Sequence, residues 1–148
     1  MPLQQLREEV LECNLEIVRR GLVLYTFGNA SGIDREQGLV VIKPSGVPYD
    51  VLTPDQFVVT DLQGTIVEGM LRPSSDLATH LALYRAFPGI GAVVHTHSRY
   101  ATAWAQAGRE IPCLGTTHAY YIRGPIPVTG QMEAGEIQTE YERNTGRA

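Results

Sequence analysis

The sequence predicts an α/β layered domain in preference to a pure sandwich or a helical bundle. Three observations carry this. Leu3, Leu6, Val10, Cys13 and Ile17 recur at steps of three and four, the spacing of one buried helical face. "FVVTDLQGTIVEG" has the pattern of a hairpin. "RPSSDLATHLALYRAFPG" is a helix with start and stop signals, and it runs directly into an apolar strand, "GAVVHTH". Hairpins and helices therefore interleave along one chain.

Taken in order, residues 3–20 form the first helix. Arg19 and Arg20 suit its C-terminus and Gly21 its stop. "LVLYTF" reads as a strand, closed by a Gly-rich loop, "GNASG". "GLVVIKPSG" is a strand running into a second loop. "TPDQF" is a short helical turn with Thr53 as cap and Pro54 at the first position. The hairpin over 57–69 follows. In the next helix Ser74 or Ser75 supplies the cap, Leu77, Leu81 and Tyr84 the buried stripe, and Pro88-Gly89 the stop. After the "GAVVHTH" strand, "SRYATAWAQAG" is a helix packed through Trp104 and its alanines. "IPCLGTTHAYYIRGPIPVTG" reads as strand and loop. "EIQTEYERNTGRA" reads as a helix or strand and then a turn with no element after it, so the chain is expected to be a piece of something longer.

The 148 residues suffice for one compact domain, 1–148, with a sizeable core. Net charge is −4, and no basic cluster exceeds Arg19-Arg20, so no nucleic-acid footprint is present. The apolar runs are too short for a membrane span, and the charged N-terminus lacks a signal peptide's apolar stretch. Cys13 and Cys113 form no CxxC pair and read as free thiols in a reducing cytoplasm.

The chemistry gathers around "VVHTHS". Alternation puts His95 and His97 on one strand face, with backbones roughly 6.5–7 Å apart. Two such imidazoles can converge on one metal ion, or they can be core or surface histidines with local hydrogen bonds. Asp76 stands at a helix start, where a carboxylate complements the helix dipole. That helix leads into the histidine strand, so its start can also reach the pair. One Asp with two His suits Zn²⁺ or another divalent transition ion. "GNASG", "KPSG" and "PSS" combine small residues, hydroxyls and free amides, and Lys43 adds a positive charge. Together they suggest an anion site without a Walker motif. His80 reads as structural, and His118 as either structural or functional. "EAGEIQTEYE" reads as a solvated face from which one acid could serve the site.

"GNASGIDREQGLVVIKPSGVPYD", "LRPSSDLATHLALYRAFPGIGAVVHTHSRYATAWAQAG" and "IPCLGTTHAYY" closely resemble the L-ribulose-5-phosphate 4-epimerase family, in the class II aldolase and adducin-head superfamily. The resemblance runs from the first helix to the last residue. It implies a three-layer α/β/α domain around a central, mainly antiparallel sheet. It implies a divalent metal, usually zinc, on Asp76, His95 and His97, with a sugar phosphate surrounded by Asn29, Lys43, Ser45, Gly46, Ser74 and Ser75. "PSSD", where related aldolases carry a glutamate, points to the epimerase branch. The implied reaction interconverts L-ribulose 5-phosphate and D-xylulose 5-phosphate by retro-aldol cleavage and re-addition, in a cytoplasmic homotetramer with sites between subunits. The other readings are a sugar-phosphate aldolase and a non-catalytic adducin-head-like binding module.

Two departures accompany the resemblance. Tyr120 stands where the family has an acid/base aspartate, and a tyrosine of ordinary pKa, ~10, is a poor base at neutral pH. A further metal histidine and a C-terminal tyrosine that the family implies have no counterpart within these residues.

Overall fold

The structure, a computed structural model, describes residues 3–147. Helix α1 (Leu3–Arg19) is followed by strands β1 (Gly28–Asp34), β2 (Leu39–Ile42), β3 (Val58–Asp61) and β4 (Ile66–Glu68). Then come α2 (Leu77–Ala86), β5 (Ala92–Thr96), α3 (Arg99–Gln106), α4 (Thr116–Tyr121) and α5 (Ala134–Thr145). The five strands form one sheet in the order β4-β3-β2-β1-β5. Every pairing is antiparallel.

The sheet is covered on both faces because its strands alternate between two cores. In β2, Val41 packs with Leu6 and Val10 of α1 and with Phe57 and Val59. Its neighbour Val40 packs with Ile33 of β1 and with Leu81 and Tyr84 of α2. The result is the expected three-layer α/β/α arrangement, with α1 on one face and α2 on the other. Buried Asn14 ties α1 to β1: its Nδ2 donates to Ala30 O at 3.0 Å, and its Oδ1 accepts from Ala30 N at 2.9 Å.

Several local expectations change. "GNASG" is not a loop but the start of β1, and every β1 residue is buried. Small residues are needed there because both faces are covered. A Cβ on Gly32 would lie 2.9 Å from Leu6 Cδ1 and from Val10 Cγ2. Conversely, "LVLYTF" is a turn with one isolated bridge, Leu24 to Phe27. Its apolar side chains Leu22, Leu24, Tyr25 and Phe27 are exposed, and Tyr25 has a φ of 55°. Residues 116–121, expected as strand or loop, form α4, beside an isolated bridge between Ile111 and Ile126. Helix α2 begins after Asp76, so Ser74 and Ser75 precede its cap position. No helix among the described residues is long and apolar enough to cross a membrane.

Candidate active site

Three segments meet at one end of β1. β1 pairs with β5 so that Asn29 lies opposite His95. The chain leaving β2 is laced to the segment before α2: Ser74 N donates to Lys43 O at 3.0 Å, and Ser45 N donates to Arg72 O at 2.9 Å. Pro44 and Pro73 form a bridge between them. These contacts bring "KPSG" and "PSSD" side by side beneath the histidine strand.

Between them lies a cleft of about 370 Å³, lined by Gly28, Asn29, Lys43, Ser45, Gly46, Ser74, Ser75, Asp76, His95 and His97. Nine sequence-predicted site residues therefore share one cavity. Tyr120 does not. It sits on α4, 83 % exposed, edge-on to Tyr121 at 5.1 Å between ring centroids. A larger open groove of about 1430 Å³ between α2 and α5 shares only Ser75, Tyr141, Glu142 and Thr145 with the cleft and holds neither the lysine nor the histidines.

Electrostatics give the cleft two ends. Lys43 is almost fully buried; its Nζ donates to Val47 O at 2.7 Å and to Pro44 O at 3.2 Å and lies 4.7 Å from the Tyr49 ring centroid. Burial pushes the lysine below its ordinary pKa. A bound anion would offset that cost, since it favours the charged amine. At the other end, the His95 and His97 rings stand edge to face, 4.8 Å between centroids. The same-face expectation from alternation is met.

Asp76 occupies the N-cap position of α2, but its side chain caps nothing. Its Oδ2 accepts from Asn29 Nδ2 at 2.5 Å and from Ser74 Oγ at 3.2 Å; Oδ1 takes neither bond. Asn29 Oδ1 is buried without a partner among the described residues. One carboxylate and two imidazoles in one cleft are donor chemistry that fits a divalent transition ion. As they stand, no three such groups among the described residues are drawn together closely enough to hold one. The bonds from Asn29 and Ser74 give the carboxylate other partners.

Four further residues belong to this region. Thr79, Tyr141 and Glu142 also line the cleft, and Thr79 Oγ1 donates to Glu142 O at 2.5 Å. Burial first, and then the Asp76 charge, push the Glu142 carboxyl above its usual value. The acid-rich segment read as a solvated face thus does contribute an acid; its pattern gave no means of choosing which. His80 lies directly behind, 1 % exposed, with Nδ1 2.7 Å from Ser31 Oγ. Its position one turn after Asp76 was the available signal.

Residues 8–147 match the class II aldolase and adducin N-terminal domain. The chain is 58 % identical over 145 residues to proteins named L-ribulose-5-phosphate 4-epimerase UlaF from Salmonella paratyphi B and Salmonella typhi. That match covers 98 % of this chain and 64 % of each relative, so the chain spans just under two thirds of their length. Among solved structures, an L-fuculose 1-phosphate aldolase superposes with a TM-score of 0.82 at 28 % identity, over 97 % of this chain and 68 % of that one. YgbL from Escherichia coli, titled a putative aldolase/epimerase/decarboxylase, superposes with a TM-score of 0.78 at 26 % identity, over 99 % and 71 %.

Proposed function

The chain belongs to the class II aldolase and adducin N-terminal domain family, and from that premise we propose that it forms the catalytic platform of a metal-dependent L-ribulose-5-phosphate 4-epimerase. The observation that carries the reading is the shared cleft, with a buried lysine and hydroxyls at one end and Asp76, His95 and His97 at the other. The 58 % identity to proteins named for this epimerase supports it over the aldolase reading.

Lys43, Ser45, Ser74, Ser75 and the Gly46 backbone hold the phosphate. Asn29 links the two ends by donating to Asp76. Asp76, His95 and His97 would hold Zn²⁺ or another divalent ion, and the bound ion would supply Lewis-acid polarisation of the sugar's carbonyl. Removal of the C4 hydroxyl proton sends an electron pair into a C4 carbonyl as the C3–C4 bond breaks. The three-carbon fragment keeps the bonding pair as an enediolate. The phosphate grip retains the two-carbon aldehyde while it turns, and re-addition to its other face gives D-xylulose 5-phosphate. Tyr120 is too exposed and too far out of the cleft lining to serve as the base in this arrangement. Glu142 is the acid that the cleft lining offers beyond Asp76. A homo-oligomer in the cytoplasm is part of the same proposal.

The test supplies L-ribulose 5-phosphate and Zn²⁺ to a protein carrying this chain and follows the carbon skeleton by NMR. D-xylulose 5-phosphate without free two-carbon aldehyde phosphate supports the epimerase. Accumulating glycolaldehyde phosphate would instead make it an aldolase. Absence of both products and of any sugar-phosphate binding would leave only the binding-module reading.

A further inference from the structure

One side chain joins the two segments that form the anion end of the cleft. Tyr49 opens a single 3-10 turn, Tyr49–Val51, behind Pro48. Its phenol OH donates to Gly28 O at 2.5 Å, at the start of β1. Its ring lies beneath the Lys43 ammonium, 4.7 Å from Nζ to the centroid. Gly28 and Lys43 both line the cleft, and Tyr49 does not. The tyrosine is 8 % exposed and clusters with Val41, Leu52, Phe57 and Val59. Core packing asks only for a partner for the hydroxyl, which Gly28 supplies. It does not ask for a cation on the ring face.

Lys43 needs that ring. It is 2 % exposed and has no carboxylate partner among the described residues. A buried charge is costly unless its surroundings compensate it. The compensation consists of two carbonyls, Val47 O at 2.7 Å and Pro44 O at 3.2 Å, and the face of Tyr49, close enough to attract a cation. An ammonium has three donors, so one is left without a protein acceptor among the described residues. Both carbonyls belong to the loop that Lys43 itself opens, which reverses at Gly46 with a φ of 70°. They can shift with the lysine. The ring sits in the core and is bonded to β1, so it sets where the ammonium stands relative to Gly28 and Asn29.

We propose that Tyr49 is a positioning residue for phosphate: its ring holds the Lys43 ammonium at the anion end of the cleft, and its hydroxyl locks the ring to β1 at Gly28. The tyrosine touches no substrate and acts through the lysine. An ammonium already held in place loses less freedom when an anion arrives, so the contact adds to affinity. The proposal rests on the reading of Lys43 as a residue that holds the phosphate.

The experiment titrates inorganic phosphate, followed by ³¹P NMR, into the parent, Tyr49→Phe, Tyr49→Leu and Lys43→Met. Urea unfolding is measured for these four and for Lys43→Met combined with each change at position 49. Phenylalanine keeps the ring and loses the hydroxyl; leucine fills the core and loses both. Tyr49→Phe should keep most of the parent's phosphate affinity. Tyr49→Leu should bind roughly 5–30-fold more weakly than Tyr49→Phe, the worth of an ammonium on a buried ring. The stability gap between the two should shrink in the Lys43→Met background, where the ring has no cation to hold. The Lys43 ε protons should be shifted upfield by the ring in the parent, a reading that needs no variant to fold. Ordinary ε-proton shifts overturn the proposal, as does equal phosphate affinity in Tyr49→Phe and Tyr49→Leu. A stability gap that is the same with and without Lys43 overturns it too, since the ring would then serve packing alone. Unchanged phosphate binding by Lys43→Met overturns the reading of the lysine, and the proposal with it.

Discussion

Asn29 donates from Nδ2 to Asp76 Oδ2 at 2.5 Å, joining β1 to the start of α2 across 47 positions of sequence. This bond fixes the carboxylate over the cleft and leaves Asn29 Oδ1 buried and unpartnered. Asn29→Ala removes a hydrogen bond to a charged group, which is worth about 1.5–3 kcal/mol. Urea unfolding should show a loss of that order, and sugar-phosphate affinity should fall with it. Unchanged stability would mean that water replaces the amide at no cost.

Lys43 links stability to anion binding with opposite signs. Burial lowers its pKa, so the folded chain disfavours the charged amine. The folded state therefore releases its proton at lower pH than the unfolded chain, and stability rises with pH between the depressed folded value and the ordinary ~10.4. Lys43→Met should be as stable as the parent or more so at pH 7. Its affinity for inorganic phosphate should drop roughly 10–100-fold, the worth of a charge-assisted bond. A variant that loses stability and keeps phosphate affinity would reverse both assignments.

His80 gives a second pH dependence, in the acid range. Its folded pKa is about 4, mainly through burial, against an ordinary value of 6.5. Protons bind the unfolded chain first, so the stability is complete above the unfolded value and is lost as pH falls from about 6.5 towards about 4. A shift of this size corresponds to roughly 3 kcal/mol. Denaturant midpoints measured from pH 7 to pH 4 should fall more steeply for the parent than for His80→Asn. Parallel slopes would show that His80 is already protonated in the folded chain or titrates normally.

Gly32→Val should be among the most damaging single changes in β1. The added Cβ meets Leu6 and Val10 at 2.9 Å, and α1 is already held to the neighbouring Ala30 by Asn14. Overpacking of this kind costs about 1–3 kcal/mol, and calorimetry should show a lowered Tm. The same contact explains why β1 was misread from sequence. "GNASG" has loop composition because α1 and α2 press on both faces of the strand, leaving room only for small side chains on the α1 side and polar rungs on the other. "LVLYTF" has strand composition yet stays exposed, which periodicity cannot register. By contrast α1 and α2 were legible because each buries residues at helical spacing, and the 57–69 hairpin and β5 because turn residues bound their apolar runs. The cleft residues were legible as residue types near element ends. His80 and Glu142 were not, because their roles depend on which helix face meets which strand.

Tyr120→Asp tests how far a family position can be carried onto this arrangement. The side chain is 83 % exposed on α4, and its ring contact is with Tyr121 alone among the described residues. An exposed substitution of this kind changes stability by no more than about 0.5 kcal/mol in either direction. The added carboxylate also lies outside the residues that line the cleft, so neither phosphate nor Zn²⁺ affinity should move. Thermal unfolding and the two binding titrations, run on the same preparation, check this directly. If the variant instead weakens phosphate binding, the new negative charge must reach the Lys43 end of the cleft, which requires α4 to fold over the site. That result would return position 120 to the catalytic set and make the exposed placement of α4 one of two states of the molecule.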